Sequence, residues 1–506
     1  MKKFALLSVS DKKGIAEFAG ELTGLGYEII ATGNTAKIIK ESGTNCIEIS
    51  ELTGFPEIFS GRVKTLHPKI LGGILMRRDN AADQKESTEN EIFPIDIVCV
   101  NLYPFPEVVN REDIDFDTKI ENIDIGGPSL IRAAAKNHKY VAVYTNPEQY
   151  NNAISELNAN GEILKSTREK LAAEAFAHTA KYDSLIADFF ETEFTPFEKA
   201  LRINLKPGGA LRYGENPHQK ADLYGDFSSH FETLHGKELS YNNIIDLTAA
   251  VNLVLELENN SSAIVKHTNP CGAASKGNVY DSYTEALSCD PISAFGGIVA
   301  FNGTVDLATA EKLNEIFLEI VAATVFDAEA LELLKKKKNR RLLKINATSL
   351  ASGQDLKSIP GGIILQDRDN STLSDDLIKL VSKRKFNQNE LNDIKFAWII
   401  CKHTKSNAII FVKDKKAIGI GAGQMSRIDS VKIASSKALE HGHDLTGAVA
   451  ASDAFFPFAD GVIEIAQNGI TCIIQPGGSV RDNEVIEAAD NNNISMIFTG
   501  IRNFKH

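Results

Sequence analysis

Between Phe4 and Val100 the chain alternates short apolar runs with stretches of helical periodicity, and this alternation restricts the fold more than any other feature of its 506 residues. Phe4 to Val9 reads as a buried strand. Ile15, Phe18, Ala19, Leu22 and Leu25 then recur at helical spacing, and Tyr27-Glu28-Ile29-Ile30-Ala31 is a strand again. A helix signal covers Thr35 to Glu41, and Ile95 to Val100 is a further buried strand running into Asn101-Leu102-Tyr103-Pro104. Strand, helix and strand at this spacing begin a doubly wound α/β sheet.

Such sheets bind ligands beyond the carboxyl ends of their strands. The residues at those ends are Ser8-Val9-Ser10-Asp11-Lys12, Thr32-Gly33-Asn34-Thr35 and Asn101 to Tyr103. Hydroxyls and free amides at helix N-termini bind phosphate, and the Gly-bounded loop Gly61-Arg62-Val63-Lys64-Thr65-Leu66-His67-Pro68 adds three cationic or titratable groups. A small phosphorylated ligand is expected. Ser10 and Thr32 would serve equally as helix caps, but capping leaves Arg62, Lys64 and His67 together unexplained. Asp124-Ile125-Gly126-Gly127-Pro128-Ser129 then opens a helix with Arg132 and Lys136 on one face. Arg168 to Phe190 is a long amphipathic helix with Leu171, Ala175, Tyr182, Leu185, Ile186 and Phe189 inward. The first unit should close near Phe194-Thr195-Pro196-Phe197, and Lys206-Pro207-Gly208-Gly209 reads as a turn into the second.

A chain of this length holds about three or four domain-sized units, and 43% apolar content supplies their cores. The net charge of -12 argues against nucleic acid or an anionic membrane surface as partner. Six cysteines without a Cys-x-x-Cys pair read as reduced thiols, which places the chain in the cytoplasm. Lys2-Lys3 before Phe4 to Leu7 mimics a signal peptide, but Ser8, Ser10, Asp11 and Lys12 cut the apolar run short. No apolar run approaches the roughly 20 residues of a membrane span.

In the remainder, Lys266-His267-Thr268-Asn269-Pro270-Cys271-Gly272 sets a cation and an imidazole side by side after the apolar run Ala263-Ile264-Val265. A reactive loop following a strand is where catalytic side chains collect; the competing reading is a core histidine beside a surface lysine. Pro270-Cys271 echoes zinc nucleoside deaminases, yet their signature needs a His-x-Glu and a second cysteine where Ala274 stands, so no zinc site is expected. Polar loops gather at Leu211-Arg212-Tyr213-Gly214-Glu215-Asn216-Pro217-His218-Gln219, at Leu239 to Asn243 and at Ser293-Ala294-Phe295-Gly296-Gly297. Lys335 to Arg341 reads as a solvated helix end. Gly419-Ile420-Gly421-Ala422-Gly423 resembles a dinucleotide fingerprint, but its third glycine comes one residue too soon and no acid suits a ribose. Gly423-Gln424-Met425-Ser426-Arg427 presents a cation after a strand. Ser452 to Asp460 places Phe455, Phe456 and Phe458 beside carboxylates, which suits a flat heterocycle or, equally, a core.

Taken together, the Gly61 to Pro68 loop, Leu211 to Gln219, Lys266 to Gly272, Gly419 to Arg427 and Ser452 to Phe458 resemble, in order and spacing, the bifunctional AICAR transformylase / IMP cyclohydrolase family across essentially the whole chain. The resemblance implies an α/β protein: a methylglyoxal-synthase-like doubly wound domain with cyclohydrolase activity at residues 1–197, then tandem cytidine-deaminase-like α/β folds without zinc, carrying formyl transfer, at residues 198–506. The implied cosubstrate is 10-formyltetrahydrofolate, with AICAR and FAICAR as substrates, no metal required, and a homodimer as the assembly.

By the same resemblance His267 accepts the amine proton and Lys266 stabilises the oxyanion or protonates the leaving nitrogen. Lys64, Tyr103, Asp124 and Lys136 polarise the formyl oxygen and shuttle protons in the first domain. Ser10, Lys12, Thr32, Gly33, Thr35, Arg62, Thr65, Asn101 and Gly126 are expected on its nucleotide, chiefly phosphate, side. Arg212, Tyr213, Asn243, Gly296, Glu319, Asn407, Ser426, Arg427, Phe455, Pro457, Asp460 and Arg502 are expected to line the nucleotide and folate sites of the second. Three departures touch the folate pocket: Ala322-Ala323-Thr324, Asn503 in place of a common histidine, and Glu319 where some relatives carry Asp. The rival readings are a non-catalytic purine-nucleotide sensor on the same fold and a zinc deaminase. Acid/base groups in both halves speak against the first.

Overall fold

A computed structural model describes residues 2–346 and 353–506. They divide into two compact units, Met1–Asn204 and Leu205–His506.

The first unit is built on five parallel strands, β1 (Lys3–Val9), β2 (Tyr27–Ala31), β3 (Ile47–Glu48), β4 (Ile95–Asn101) and β5 (Ala142–Tyr144), in the order β3-β2-β1-β4-β5. Continuous apolar runs suit this sheet because helices cover both faces; Ala5, Leu6 and Leu7 of β1 are wholly buried. The helix Ile15–Gly24 presses Ile15, Phe18, Ala19 and Leu22 onto it, the face its periodicity predicts. Truncating Leu6 to alanine would cost about 2–5 kcal/mol at such a site. Strand order reverses between β1 and β4, which opens a crevice at their carboxyl ends. The long helix is longer than its periodicity suggests, Lys165–Phe194, and packs Tyr182 and Phe189 against Phe105.

The second unit contains one sheet of 12 strands made of two equivalent halves. In the first half, helix Tyr241–Glu256 leads into the hairpin Ser261–Lys266/Asn269–Ser275, and strands Ile298–Val305, Ile320–Phe326 and Arg341–Ile345 follow. In the second, helix Gln388–Lys402 leads into the hairpin Ile409–Lys413/Lys416–Gly421, and strands Val449–Ser452, Cys472–Gln475 and Ser495–Phe498 follow. The halves join where Asn269–Ser275 runs antiparallel to Lys416–Gly421, with Ala274 opposite Lys416. The helices Tyr241–Glu256 and Gln388–Lys402 share one core on one face of the sheet, while each half keeps its own core on the other.

Two expectations are corrected and one open alternative is resolved. Lys206 to Gly209 is no turn: Pro207–Ala210 is a short strand paired with Asp222–Tyr224. The basic run is solvated only to Asn339. Arg340 is 1% exposed: its two Nη atoms donate to Asn314 Oδ1 at 2.6 Å and Leu313 O at 3.2 Å, while its Nε has no partner among the described residues, and buried Arg341 binds Glu238 O. Phe456 is core, whereas Phe455 is exposed. The glycines at 419 and 421 serve close packing: a Cβ there would strike Ala434 O and Ser430 O of helix Arg427–Glu440. Gly272, the equivalent of Gly419 in the first half, meets Ala286 O in the same way.

Candidate functional site

Each unit has its own polar cleft. In the first, a cavity of about 1070 Å³ lies over the carboxyl ends of β1, β2 and β4 and is lined by Ser10, Lys12, Thr32, Gly33, Thr35, Arg62, Lys64, Thr65, Asn101, Tyr103, Asp124 and Gly126. Helix Gly33–Glu41 points its N-terminus there, and Thr32 makes no side-chain cap, since its hydroxyl faces Ser8 Oγ at 3.0 Å. Ser10 caps nothing either; the next helix begins at Ile15 with Gly14 before it. Free amides at that helix end remain available to an anion. Asn101 fixes the loop after β1 by accepting the Asp11 amide at 2.9 Å and donating to Asp11 O at 3.0 Å.

Lys12 donates to Thr35 Oγ1 at 3.2 Å, and burial, with Lys64 nearby, lowers its pKa. Lys64 Nζ stands 3.4 Å from Tyr103 Oη. Asp124 accepts the Gly127 amide at 2.7 Å, and burial raises its pKa against the pull of the Gly127 and Tyr103 amides and of Lys64. Gly127 permits this close approach: a Cβ would lie 2.6 Å from Asp124 Oδ2 and 2.7 Å from Leu102 Cδ2 and would require those side chains to shift. Arg62 is held at the rim by Glu121, with Nε 3.2 Å from the carboxylate.

Two expected partners stand apart. His67 caps helix Pro68–Leu75, its Nδ1 accepting the Lys69 amide at 3.2 Å, and does not line the cavity. Lys136 is exposed at the far end of helix Gly126–Lys136, about 15 Å along the axis from Gly126 at 1.5 Å per residue, so within this chain it does not meet Lys64 and Asp124. Residue spacing put Lys136 on the right helix but could not show which end of it reaches the cleft. Asn34, from the Thr32 to Thr35 segment, also lines the cavity, and Glu57 joins the lining without a sequence signal of its own.

In the second unit Lys266 and His267 line a cleft of about 270 Å³ with Asn269, Asp290, Gln424 and Lys437. Lys266 Nζ donates to Phe295 O at 2.8 Å, while the amide of neighbouring Gly296, at φ 73°, bonds Phe317 O. Asn243 donates to Glu319 at 2.9 Å, and Glu319 lies 3.5 Å from the buried guanidinium of Arg341. Arg212 stacks over Tyr213 at 4.5 Å, and both act electrostatically on Arg341. From the second half, Arg427 reaches Asn407 Oδ1 at 2.9 Å, Asp453 at 2.8 Å and Phe455 O at 3.0 Å. Asn407 in turn donates to Gln424 O at 2.7 Å, which ties this group to the cleft. Ser426 caps the helix of Arg427 by accepting the Asp429 amide. Pro457, Asp460 and Arg502 are at least partly solvent-accessible; Asp460 accepts the Gly461 amide and Arg502 lies over Phe504.

The Cys271 thiol is buried against Ile264 O, and burial pushes its pKa up to about 12. Ala322 and Ala323 are buried in the centre of a strand, which makes that departure a matter of sheet packing. Asn503 is 1% exposed, with neither side-chain polar atom bonded among the described residues. Asp246, which holds the loop of His267, escaped notice because a lone aspartate inside an amphipathic helix carries no motif.

The profile of the AICARFT/IMPCHase bienzyme family matches residues 134–437, and that of the MGS-like domain matches residues 14–129. The chain is 51% identical to a protein of Persephonella marina named bifunctional purine biosynthesis protein PurH, over the whole of both chains. Proteins of the same name from Bacillus cereus and Chlorobium chlorochromatii are 50% and 49% identical, covering 100% of this chain and 100% and 99% of theirs. With likeness running from end to end, and both clefts built on the folds these profiles describe, the chain belongs to the AICARFT/IMPCHase bienzyme family.

Proposed function

We propose that this bifunctional purine-biosynthesis enzyme, an AICAR formyltransferase and IMP cyclohydrolase, divides its work between its units: formyl transfer in residues 205–506 and ring closure in residues 1–204. The observation that carries the division is that each unit has its own core and its own polar cleft with acid/base groups. The formyl donor on this reading is 10-formyltetrahydrofolate.

The 5-amino group of AICAR is a poor nucleophile and needs a base. His267 takes its proton as the nitrogen attacks the formyl carbon; Lys266 stabilises the oxygen of the tetrahedral intermediate, which collapses as the folate nitrogen leaves with a proton. FAICAR then enters the cavity of the first unit with its phosphate against the N-terminus of Gly33–Glu41 and Lys12. The carboxamide nitrogen attacks the formyl carbon, Lys64 and Tyr103 polarise the formyl oxygen, Asp124 accepts the amide proton, and water departs. None of these steps requires a metal.

A homodimer and a cytoplasmic setting complete the reading. Ile292, Phe295, Phe317 and Met425 beside the transfer cleft are exposed apolar side chains, as expected where a second copy packs. Among the described residues no helix is long and apolar enough to cross a membrane. The sensor reading has no observation in its favour. The test is spectroscopic conversion of AICAR plus 10-formyltetrahydrofolate to IMP by the purified protein, with sedimentation at assay concentration. Absence of FAICAR and IMP would overturn the activity, and a fully active monomer would overturn the dimer.

A further inference from the structure

The hairpin ending in Lys266 turns through two residues with left-handed backbones, His267 at φ 51° and Thr268 at φ 63°. A β-branched residue is an outlier there, since its Cβ crowds the backbone. Hairpins that need only to turn use Asn-Gly or Asp-Gly. A conformation of this kind persists when surrounding structure over-determines it.

Asp246 supplies that restraint. From helix Tyr241–Glu256 its Oδ1 accepts the Thr268 amide at 2.7 Å, and the His267 amide beside it also favours the charged carboxylate. The second half of the unit contains the same device without a histidine. Asp414 (φ 54°) and Lys415 (φ 52°) form its turn. Asp393, from helix Gln388–Lys402, accepts their amides at 2.8 and 2.6 Å. Asp246 and Asp393 are each the sixth residue of their helix. The two clamps therefore share a geometry, and only the first stands behind an imidazole that lines a cleft.

We propose that Asp246 is a positioning residue for formyl transfer: by holding the Thr268 amide of the strained turn, it fixes the direction in which His267 presents its ring to the substrate amine. The proposal rests on the reading of His267 as the base. Asp393 calibrates it, because a clamp that merely stabilises a hairpin would act alike in both halves.

The test uses the full-length chain and four variants, Asp246→Ala, Asp246→Asn, Asp393→Ala and His267→Ala. Measured are thermal stability, kcat and KM for AICAR in formyl transfer, and cyclisation of supplied FAICAR. Displacing a reacting group by about 1 Å can cost about a hundredfold, so Asp246→Ala should lower the transfer kcat roughly ten- to a hundredfold with KM for AICAR and cyclisation little changed. Asp246→Asn keeps one acceptor for the turn and should recover part of kcat; it also carries the comparison if the alanine variant does not fold. Asp393→Ala should lose stability yet keep its kcat per folded molecule. Equal kcat in the Asp246 and Asp393 variants would overturn the positioning role. Retained transfer in His267→Ala would instead overturn the underlying assignment of the base, whatever Asp246 does.

Discussion

Arg427 donates to Asp453 Oδ1 at 2.8 Å, with the two side chains only 8% and 0% exposed. The same guanidinium holds Asn407 Oδ1 and the carbonyl of Phe455, so one buried cation ties the loop of Asn407 to the loop of Asp453 and Phe455 beside the cleft of the second unit. The ion pair builds the site, and its energetics are asymmetric: removing one partner strands the other charge away from water.

Asp453→Asn should therefore destabilise the second unit by about 3 kcal/mol, near the lower end for breaking a buried pair, and raise KM for AICAR in formyl transfer while leaving cyclisation intact. Denaturant unfolding with steady-state kinetics on both reactions checks this. Unchanged stability would mean that the pair does not organise the loops.

Asp124→Asn separates stability from activity. Burial raises the Asp124 pKa above its ordinary 3.8, so the native state binds this proton more tightly than the unfolded chain does. Stability from this group is then largest at low pH and falls as pH rises from the ordinary carboxylate range through the raised value. The asparagine carries no charge to desolvate. Relative to the parent it should be more stable at neutral pH, and the advantage should vanish near pH 3; cyclisation should fall at least a hundredfold, the scale for a positioned base. Melting curves across pH and a FAICAR assay decide, and a variant less stable at neutral pH would refute the desolvation argument.

Much of this was legible in the sequence because local pattern and tertiary demand coincide. The β1 run Phe4 to Val9 is apolar on both faces because both faces are covered, and helix Ile15–Gly24 buries the residues its spacing selects. Lys266 with His267 was likewise visible as a reactive pair following a strand, Tyr103 as a residue beyond a strand end, and Lys64 as a cation in a Gly-bounded loop. What escaped was decided by the third dimension. Arg340 looks like any member of a basic run until Asn314 and Leu313 are seen to accept from it in the interior, and His67 looks like an anion ligand until its ring is seen to cap its own helix. Asp246 became visible only beside its equivalent, Asp393, since sequence similarity between the two helices is slight.

Gly127→Ala tests the close approach beside Asp124. An added Cβ would press on Asp124 Oδ2 and Leu102 Cδ2 at 2.6 and 2.7 Å, so the carboxylate must move. Cyclisation should drop roughly a hundredfold for a displacement of about 1 Å, while formyl transfer to AICAR continues at the parent rate. Parallel single-reaction assays read this directly; normal cyclisation would show that Asp124 need not occupy its present position.

The division of labour is exposed most fully by Lys64→Ala together with separate chains cut after Asn204. Residues 1–204 hold a closed core from Phe4 to Ala175, and residues 205–506 hold the cores of both halves of the larger sheet, so each fragment has what it needs to fold. Residues 1–204 alone should convert FAICAR to IMP. Residues 205–506 should make FAICAR from AICAR and stop there. Lys64→Ala in the intact chain should behave like the second fragment, with AICAR consumed and FAICAR accumulating, because the proposed mechanism has Lys64 and Tyr103 act on the formyl oxygen only after transfer is complete. A chromatographic time course of AICAR, FAICAR and IMP, at a pH where uncatalysed closure is slow, distinguishes these outcomes. If folded Lys64→Ala fails to consume AICAR, the two clefts are coupled and the assignment of one reaction to each unit is wrong.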